Sequence, residues 1–234
     1  MEDLGAALRA SRLRRGLSLR AVAASADISP SLLSQVETGK TQPSVGTLYA
    51  LVNVLEASVD ELFGMPPRTR LDEGARNSDS LVTVHPVQRA ADNPTIEMEN
   101  GVKWERLAVE GLGRVDALLT TYGPGSSSSV EGKLMRHSGI EYGLILRGEL
   151  VLKLDFDEYL LAPGDSMCFD SHRPHLYENR TGEDAQGIWF VLDRTRDTGV
   201  AAQAAQAMNS AVDVLGALGR MPVASNGSVN LTLP

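Results

Sequence analysis

Cysteine is nearly missing from this 234-residue chain. Cys168 stands alone, which excludes an intramolecular disulfide framework and any multi-cysteine zinc or iron–sulfur site within one chain. Aromatic residues are scarce at 5%, and there are only four histidines. No apolar run approaches the roughly 20 residues needed to span a bilayer. The opening MEDLGAALRASRLRRG starts acidic and lacks an apolar stretch before a small-residue cleavage site, so it does not read as a secretory signal. A cytoplasmic protein without a membrane partner is expected. Positive charge is also short: 22 Lys+Arg against 30 Asp+Glu give a net charge of -8, which over the whole chain argues against nucleic acid.

What is present changes that conclusion. With 42% hydrophobic and 22% charged residues the chain is neither disordered nor fibrous, and its length suits one large domain or two small ones. The charge is unevenly placed. Through residue 70 there are eight basic residues against seven acids, whereas beyond it there are fourteen against twenty-three. This implies a near-neutral module with a basic stripe, joined to an acidic module that phosphate would repel.

Residues 1–64 read as five short helices. The first runs to about Arg15 and stops at Gly16, a residue suited to the left-handed position past a helix end. Ser18 can cap LRAVAASA, Ser29 and Pro30 open PSLLSQVE before Gly39, Ser44 caps a helix with Leu48, Leu51, Val52 and Leu55 as its stripe, and Ser58 caps a last turn through Phe63. Two capped helices around the three-residue turn Asp27, Ile28, Ser29 are what a helix-turn-helix requires. Small Ala23 allows close approach, Ile28 fills the space under the turn, and Leu33 and Val36 anchor the second helix. Its free face then carries Ser29, Pro30, Ser31, Ser34 and Gln35, and a Gln amide there can pair bidentately with adenine.

The segment GLSLRAVAASADISPSLLSQVETGKTQPSVGTLYALVNVL resembles the phage-repressor or XRE family of helix-turn-helix proteins, over residues 4–63. The resemblance implies Gln35, Ser31 and Ser34 for base readout, and Arg12, Arg15, Thr38 and Lys40 for the phosphate backbone. One such module makes few phosphate contacts, so a homodimer on a two-fold operator in double-stranded DNA is expected.

Residues 65–80 have a linker composition rich in Pro, Gly, Arg and Asp. From 81 to 195, short β-branched or alternating runs (LVTVHPV, VKWERLAV, VDALLTTY, EYGLILRG, ELVLKLDF, EYLLAPGD, SMCFD, AQGIWFVLD) are separated by turn residues, the spacing of an all-β sandwich or barrel. The tail 196–234 begins with an Ala-rich stretch of helix-forming composition and ends in a loose segment.

Two segments of the β region, His137 to Gly148 and Gly164 to Asn179, resemble the two cupin motifs in order and spacing. This implies a double-stranded β-helix barrel over roughly residues 100–193, giving a multidomain α plus all-β protein. In that barrel His137, Glu141 and His175 would point inward and could bind one divalent metal, iron, manganese or zinc. Metal-binding cupins usually place a further histidine where this chain has Met135, which leaves three ligands in place of four. A metal-free barrel, with His137 and Glu141 bonded to each other or to an organic ligand, is the open alternative. Met135, Tyr142, Tyr122 and Trp189 are the expected pocket lining. Cys168 is expected as a small buried hydrophobe, His172 as exposed, and SSSS at 126–129 as a loop beside the barrel mouth.

A DNA reader joined to a small-molecule barrel is most simply a ligand-responsive regulator. Proteins of similar architecture are bacterial regulators of small-molecule metabolism or stress responses, usually repressors, so a repressor sensing a small-molecule effector or a metal is expected. The alternative is a mononuclear iron oxygenase: the chain also resembles the hydroxypropylphosphonate epoxidases, whose iron is held by His-x-x-x-Glu and a later His. An enzyme of that kind needs basic groups for its anionic substrate, and the candidates near the motifs are Lys133, Arg136 and Arg147.

Overall fold

Serine side chains set the starts of four of the five helices. Ser18, Ser29, Ser44 and Ser58 sit in extended backbone, and each Oγ accepts from the backbone N–H three residues on, satisfying a donor that the helix itself cannot. They open α2 (Leu19–Ser25), α3 (Pro30–Glu37), α4 (Val45–Leu55) and α5 (Val59–Leu62). The first helix, α1 (Leu4–Arg14), is followed by Gly16 at φ +64°, a left-handed conformation that glycine takes without strain. A Cβ on Gly5 would lie 2.2 Å from the Val36 carbonyl oxygen, so α1 crosses α3 where only a glycine fits. Leu8, Ala23, Leu33, Val36, Leu48 and Leu51 fill the centre of the bundle.

The computed structural model describes residues 4–63, 87–108, 115–129 and 132–192. The expected linker at 65–80, most of the expected strand at 81–87, and the Ala-rich helix and loose tail of 196–234 lie outside the described residues.

Among the described residues nine strands follow: β1 (Thr95–Glu97), β2 (Val102–Arg106), β3 (Val115–Tyr122), β4 (Ile140–Arg147), β5 (Leu150–Leu154), β6 (Asp157–Leu161), β7 (Ser166–Asp170), β8 (His175–Glu178) and β9 (Ala185–Leu192). They form a six-stranded sheet in the order β1-β2-β3-β9-β4-β7 and a three-stranded sheet β6-β5-β8, antiparallel throughout. The sheets face one another across a shared core, where Tyr177 of β8 meets Trp189 of β9 edge-on at 5.4 Å. Gly148 at φ +69° turns the β4–β5 hairpin, and a side chain there would collide with the backbone of Asp184 and Ala185.

The pleat decides which motif residues face inward. In β4, Glu141, Gly143 and Ile145 are buried while Tyr142, Leu144 and Leu146 alternate outward. Tyr142 therefore does not line the barrel interior, contrary to the sequence expectation; it is 43% exposed on the outer face. Cys168 pairs with Tyr142 across β4 and β7 and is exposed with it, so it is not the buried hydrophobe expected, Phe169 taking the inward position. The SSSS segment is built into the barrel wall. Ser128 exchanges backbone and hydroxyl hydrogen bonds with Tyr177, and Ser126 and Ser128 are buried.

The bundle and the sheets pack as one compact unit. Arg106 of β2, fully buried, meets Asp60 of α5 with Nε and Nη2 at 2.7 and 2.6 Å from Oδ1. At the other end of the contact, the Gly46 N–H donates to the Ser128 carbonyl and the Glu99 N–H to the Pro43 carbonyl, both at 3.0 Å.

Candidate nucleic-acid interface and metal centre

On the bundle, Ser29, Pro30, Ser31, Ser34 and Gln35 are all exposed along α3, and Thr38 and Lys40 are exposed just beyond it. Ser29 is engaged as the cap of α3, and the Thr38 hydroxyl donates to the Ser34 carbonyl at 2.8 Å, which closes the end of the same helix. Leu33 and Val36 on the opposite face are buried, so α3 is held from beneath while its polar side remains open. Two of the residues expected on phosphate are used otherwise. Arg12 is only 8% exposed and grips Glu37 at 2.6 and 2.7 Å, with Nη1 donating to the Leu17 carbonyl at 3.1 Å. Its guanidinium is thus neutralised inside the bundle, tying α1 to the end of α3. Arg15 reaches the end of α4, donating to the Val54 carbonyl at 3.2 Å with Glu56 at 2.7 Å.

In the barrel, β4 and β8 bring His137, Glu141 and His175 together. His137 precedes β4, Glu141 is its second residue and His175 opens β8, and all three are buried. One potential ligand atom from each lies within 4.8 Å of the others. Nε2 of His137 is 2.7 Å and Nε2 of His175 is 3.1 Å from Oε1 of Glu141, yet none of the three atoms has a properly directed hydrogen bond. The far sides of the groups are satisfied. His137 Nδ1 faces the Ser138 carbonyl at 3.2 Å, His175 Nδ1 faces the Arg173 carbonyl at 2.8 Å, and the Tyr177 hydroxyl donates to Glu141 Oε2 at 2.8 Å. A ring nitrogen facing a carbonyl oxygen carries a proton, so the atom each ring turns to the carboxylate is Nε2, which offers a lone pair when the ring is neutral. With neutral rings the three buried atoms are converging acceptors, and two imidazoles with one carboxylate, each braced from behind, suit a divalent metal.

Positive charge at this point, whether on the rings or on a bound cation, stabilises the carboxylate. Burial alone would raise the Glu141 carboxyl, but the hydrogen-bonding and charge of His137 and His175 outweigh it and hold the group well below its ordinary range. Burial first, and the Glu141 charge second, push the hydroxyls of Tyr49, Tyr122 and Tyr177 up, so Tyr177 remains a donor.

Met135, Tyr122 and Trp189 line the cavity beside Glu141, joined by Trp104, Thr120 and Tyr177 and by Val45 and Tyr49 from α4. The free space is about 20 Å³, room for a water molecule rather than an organic one. Sequence reasoning missed Tyr49, whose ring is stacked on His137 with centroids 3.9 Å apart. Nothing in its local pattern distinguishes it from an ordinary core residue of α4. His172 is exposed beside Asp170, and Asn179 pins the turn before β9 through the Tyr122, Gly123 and Glu183 carbonyls.

Residues 3–62 match the family model of the helix-turn-helix domain, and residues 118–191 that of the cupin domain. The chain is an XRE-like helix-turn-helix protein with a C-terminal cupin domain. It is similar to the HTH-type transcriptional regulator PuuR of Escherichia coli (strain K12), 28% identical over 169 residues that cover 72% of this chain and 83% of that protein; PuuR of Shigella flexneri matches equally. Among solved structures, an HTH_3 family transcriptional regulator from Vibrio cholerae has a TM-score of 0.56 at 23% identity, covering 81% of this chain and 94% of its own, which shows the shared fold. Hydroxypropylphosphonic acid epoxidase from S. wedmorenis covers 81% and 97% at a TM-score of 0.41 and 20% identity, a likeness that carries nothing about chemistry.

Proposed function

We infer that this protein is a sequence-specific DNA-binding transcriptional regulator whose cupin barrel senses a divalent metal or a small molecule. The observation that carries the reading is α3 itself: anchored by Leu33 and Val36, capped at both ends, and open along Ser31, Ser34 and Gln35. Gln35 is assigned to base edges, Ser31 and Ser34 to flanking contacts, Pro30 and Ser29 to the helix start in the groove, and Lys40 and Thr38 to phosphate. Arg15, paired with Glu56, and Arg12, paired with Glu37, act as struts within the bundle.

The protein works as a homodimer on a two-fold site. An exposed apolar strip on the outer sheet face, with Tyr142, Leu144, Leu146 and Phe190, supports a partner copy there. Iron, manganese or zinc at His137, Glu141 and His175 would supply a Lewis-acidic centre with open positions for an effector. Among the described residues no cation lines the cavity: Lys133, Arg136 and Arg147 are all exposed elsewhere. That weighs against oxidation of an anionic substrate. Repression is the proposed sign of regulation.

Footprinting on DNA from upstream of the protein's own gene, at two salt concentrations with an unrelated duplex as competitor, tests this. A protected, roughly two-fold site that survives competitor supports the regulator, because salt separates phosphate attraction from base readout. No specific protection on its own or neighbouring promoters, with iron bound stoichiometrically, overturns it in favour of an oxidase.

A further inference from the structure

The metal-competent cluster is not enclosed by the barrel alone. Tyr49 belongs to α4 of the helical module, yet its ring lies flat on His137, 7° from parallel, and meets Trp104 edge-on at 5.5 Å. Val45, one turn earlier on α4, lines the same cavity. The backbone of this helix start is fastened to the barrel through Gly46 to Ser128 and Pro43 to Glu99. Ser128 is bonded in turn to Tyr177, whose hydroxyl holds Glu141. Nine positions before Tyr49 stands Lys40, in the exposed loop that follows α3.

We propose that Tyr49 is a residue of the barrel's ligand site, and that segment 43–49 carries occupancy of the His137, Glu141 and His175 cluster by a divalent cation to the DNA-contact loop. The proposal rests on the regulator reading above. The His137 ring is held less closely from behind than that of His175, its Nδ1 lying 3.2 Å from the Ser138 carbonyl against 2.8 Å between His175 Nδ1 and the Arg173 carbonyl. Ligated through Nε2, it acquires a fixed orientation and a ring depleted of electrons, and such a ring stacks better against an electron-rich phenol. Unligated, the neutral ring turns its lone pair towards those of Glu141 and His175, and any rotation that relieves this moves the ring within its stack on Tyr49. A close-packed contact cannot follow that shift smoothly, so Tyr49 and the start of α4 change place with it. Linkage makes the coupling mutual: contacts that fix residues 38–44 on DNA raise or lower cation affinity by the same factor.

Hydrogen exchange of the full-length protein over residues 43–49, with and without stoichiometric Co2+, tests the proposal in the wild type, Tyr49→Phe and Tyr49→Leu. Leucine fills the space without offering a ring face, which keeps the protein folded. Cobalt uptake is read separately from its visible ligand-field absorption. All three proteins are expected to bind Co2+ within about tenfold of one another, because none loses a ligand. Loading is expected to slow exchange by about fivefold or more in the wild type and Tyr49→Phe, and by less than about twofold in Tyr49→Leu. A leucine variant that responds like the wild type, a wild type that does not respond, or no cobalt uptake overturns the proposal. Binding to the upstream DNA fragment separates this from failure of the regulator reading. An exchange response without DNA protection upholds the role of Tyr49 and removes the regulator, whereas DNA protection without an exchange response does the reverse.

Discussion

On the proposed reading, Gln35 is the residue whose removal separates base contact from everything else the bundle does. It is exposed on α3, and no core contact depends on its amide. Gln35→Ala is expected to cost about 1–3 kcal/mol of discrimination at one operator position, in competition binding, while stability stays within about 0.5 kcal/mol of wild type. Glu37 gives the opposite outcome. Glu37→Ala leaves the Arg12 guanidinium buried without its partner, and is expected to lower stability by about 3–5 kcal/mol in urea unfolding. The open polar face of α3 was legible from its caps and apolar spacing, and the meeting of His137, Glu141 and His175 from the resemblance of two segments to the cupin motifs. Arg12 was not legible, because its partner lies 25 positions away and only packing brings them together. Tyr142 was mistaken for a reason that parity could have exposed: with Glu141 facing inward, the next residue on a strand must face outward.

At the scale of elements, punctuation explains most of what could be read in advance. Serine caps, Pro30 and the glycines at 16 and 39 mark helix ends with definite physical roles, and the helices begin and end within a residue or so of those marks. The strand β1 escaped notice because its three residues bury only Ile96, too little for alternation to show. The need for Gly5 was also hidden, since it arises from the crossing of α1 over α3. Gly5→Ala is expected to force the two helices apart and to lower stability by about 1–3 kcal/mol, read as a reduced denaturation midpoint at unchanged m-value.

Across the whole molecule, the bundle and the barrel are joined by two buried contacts of different character, beside the exposed Lys133–Asp27 pair. One is the buried Asp60–Arg106 pair, which acts as an anchor. The other is the start of α4, which covers the metal-competent cluster. Asp60→Ala strands the Arg106 charge in the interface and is expected to cost about 3–5 kcal/mol, with calorimetry resolving separate transitions for the two modules. None of this was legible in the sequence. Both modules could be recognised by their own patterns, but a contact between modules leaves no periodicity in either.

We propose that the DNA-reading helix and the metal-competent barrel act as one coupled machine. It is tested most directly by the affinity of the full-length protein for its upstream DNA, metal-free and metal-loaded, beside Glu141→Gln, which keeps the shape of the site and removes the carboxylate charge. The account predicts a metal-dependent change of about fivefold or more in the wild type and none in Glu141→Gln. Specific DNA binding that is identical with and without metal, or a Glu141→Gln protein that responds like the wild type, would contradict it.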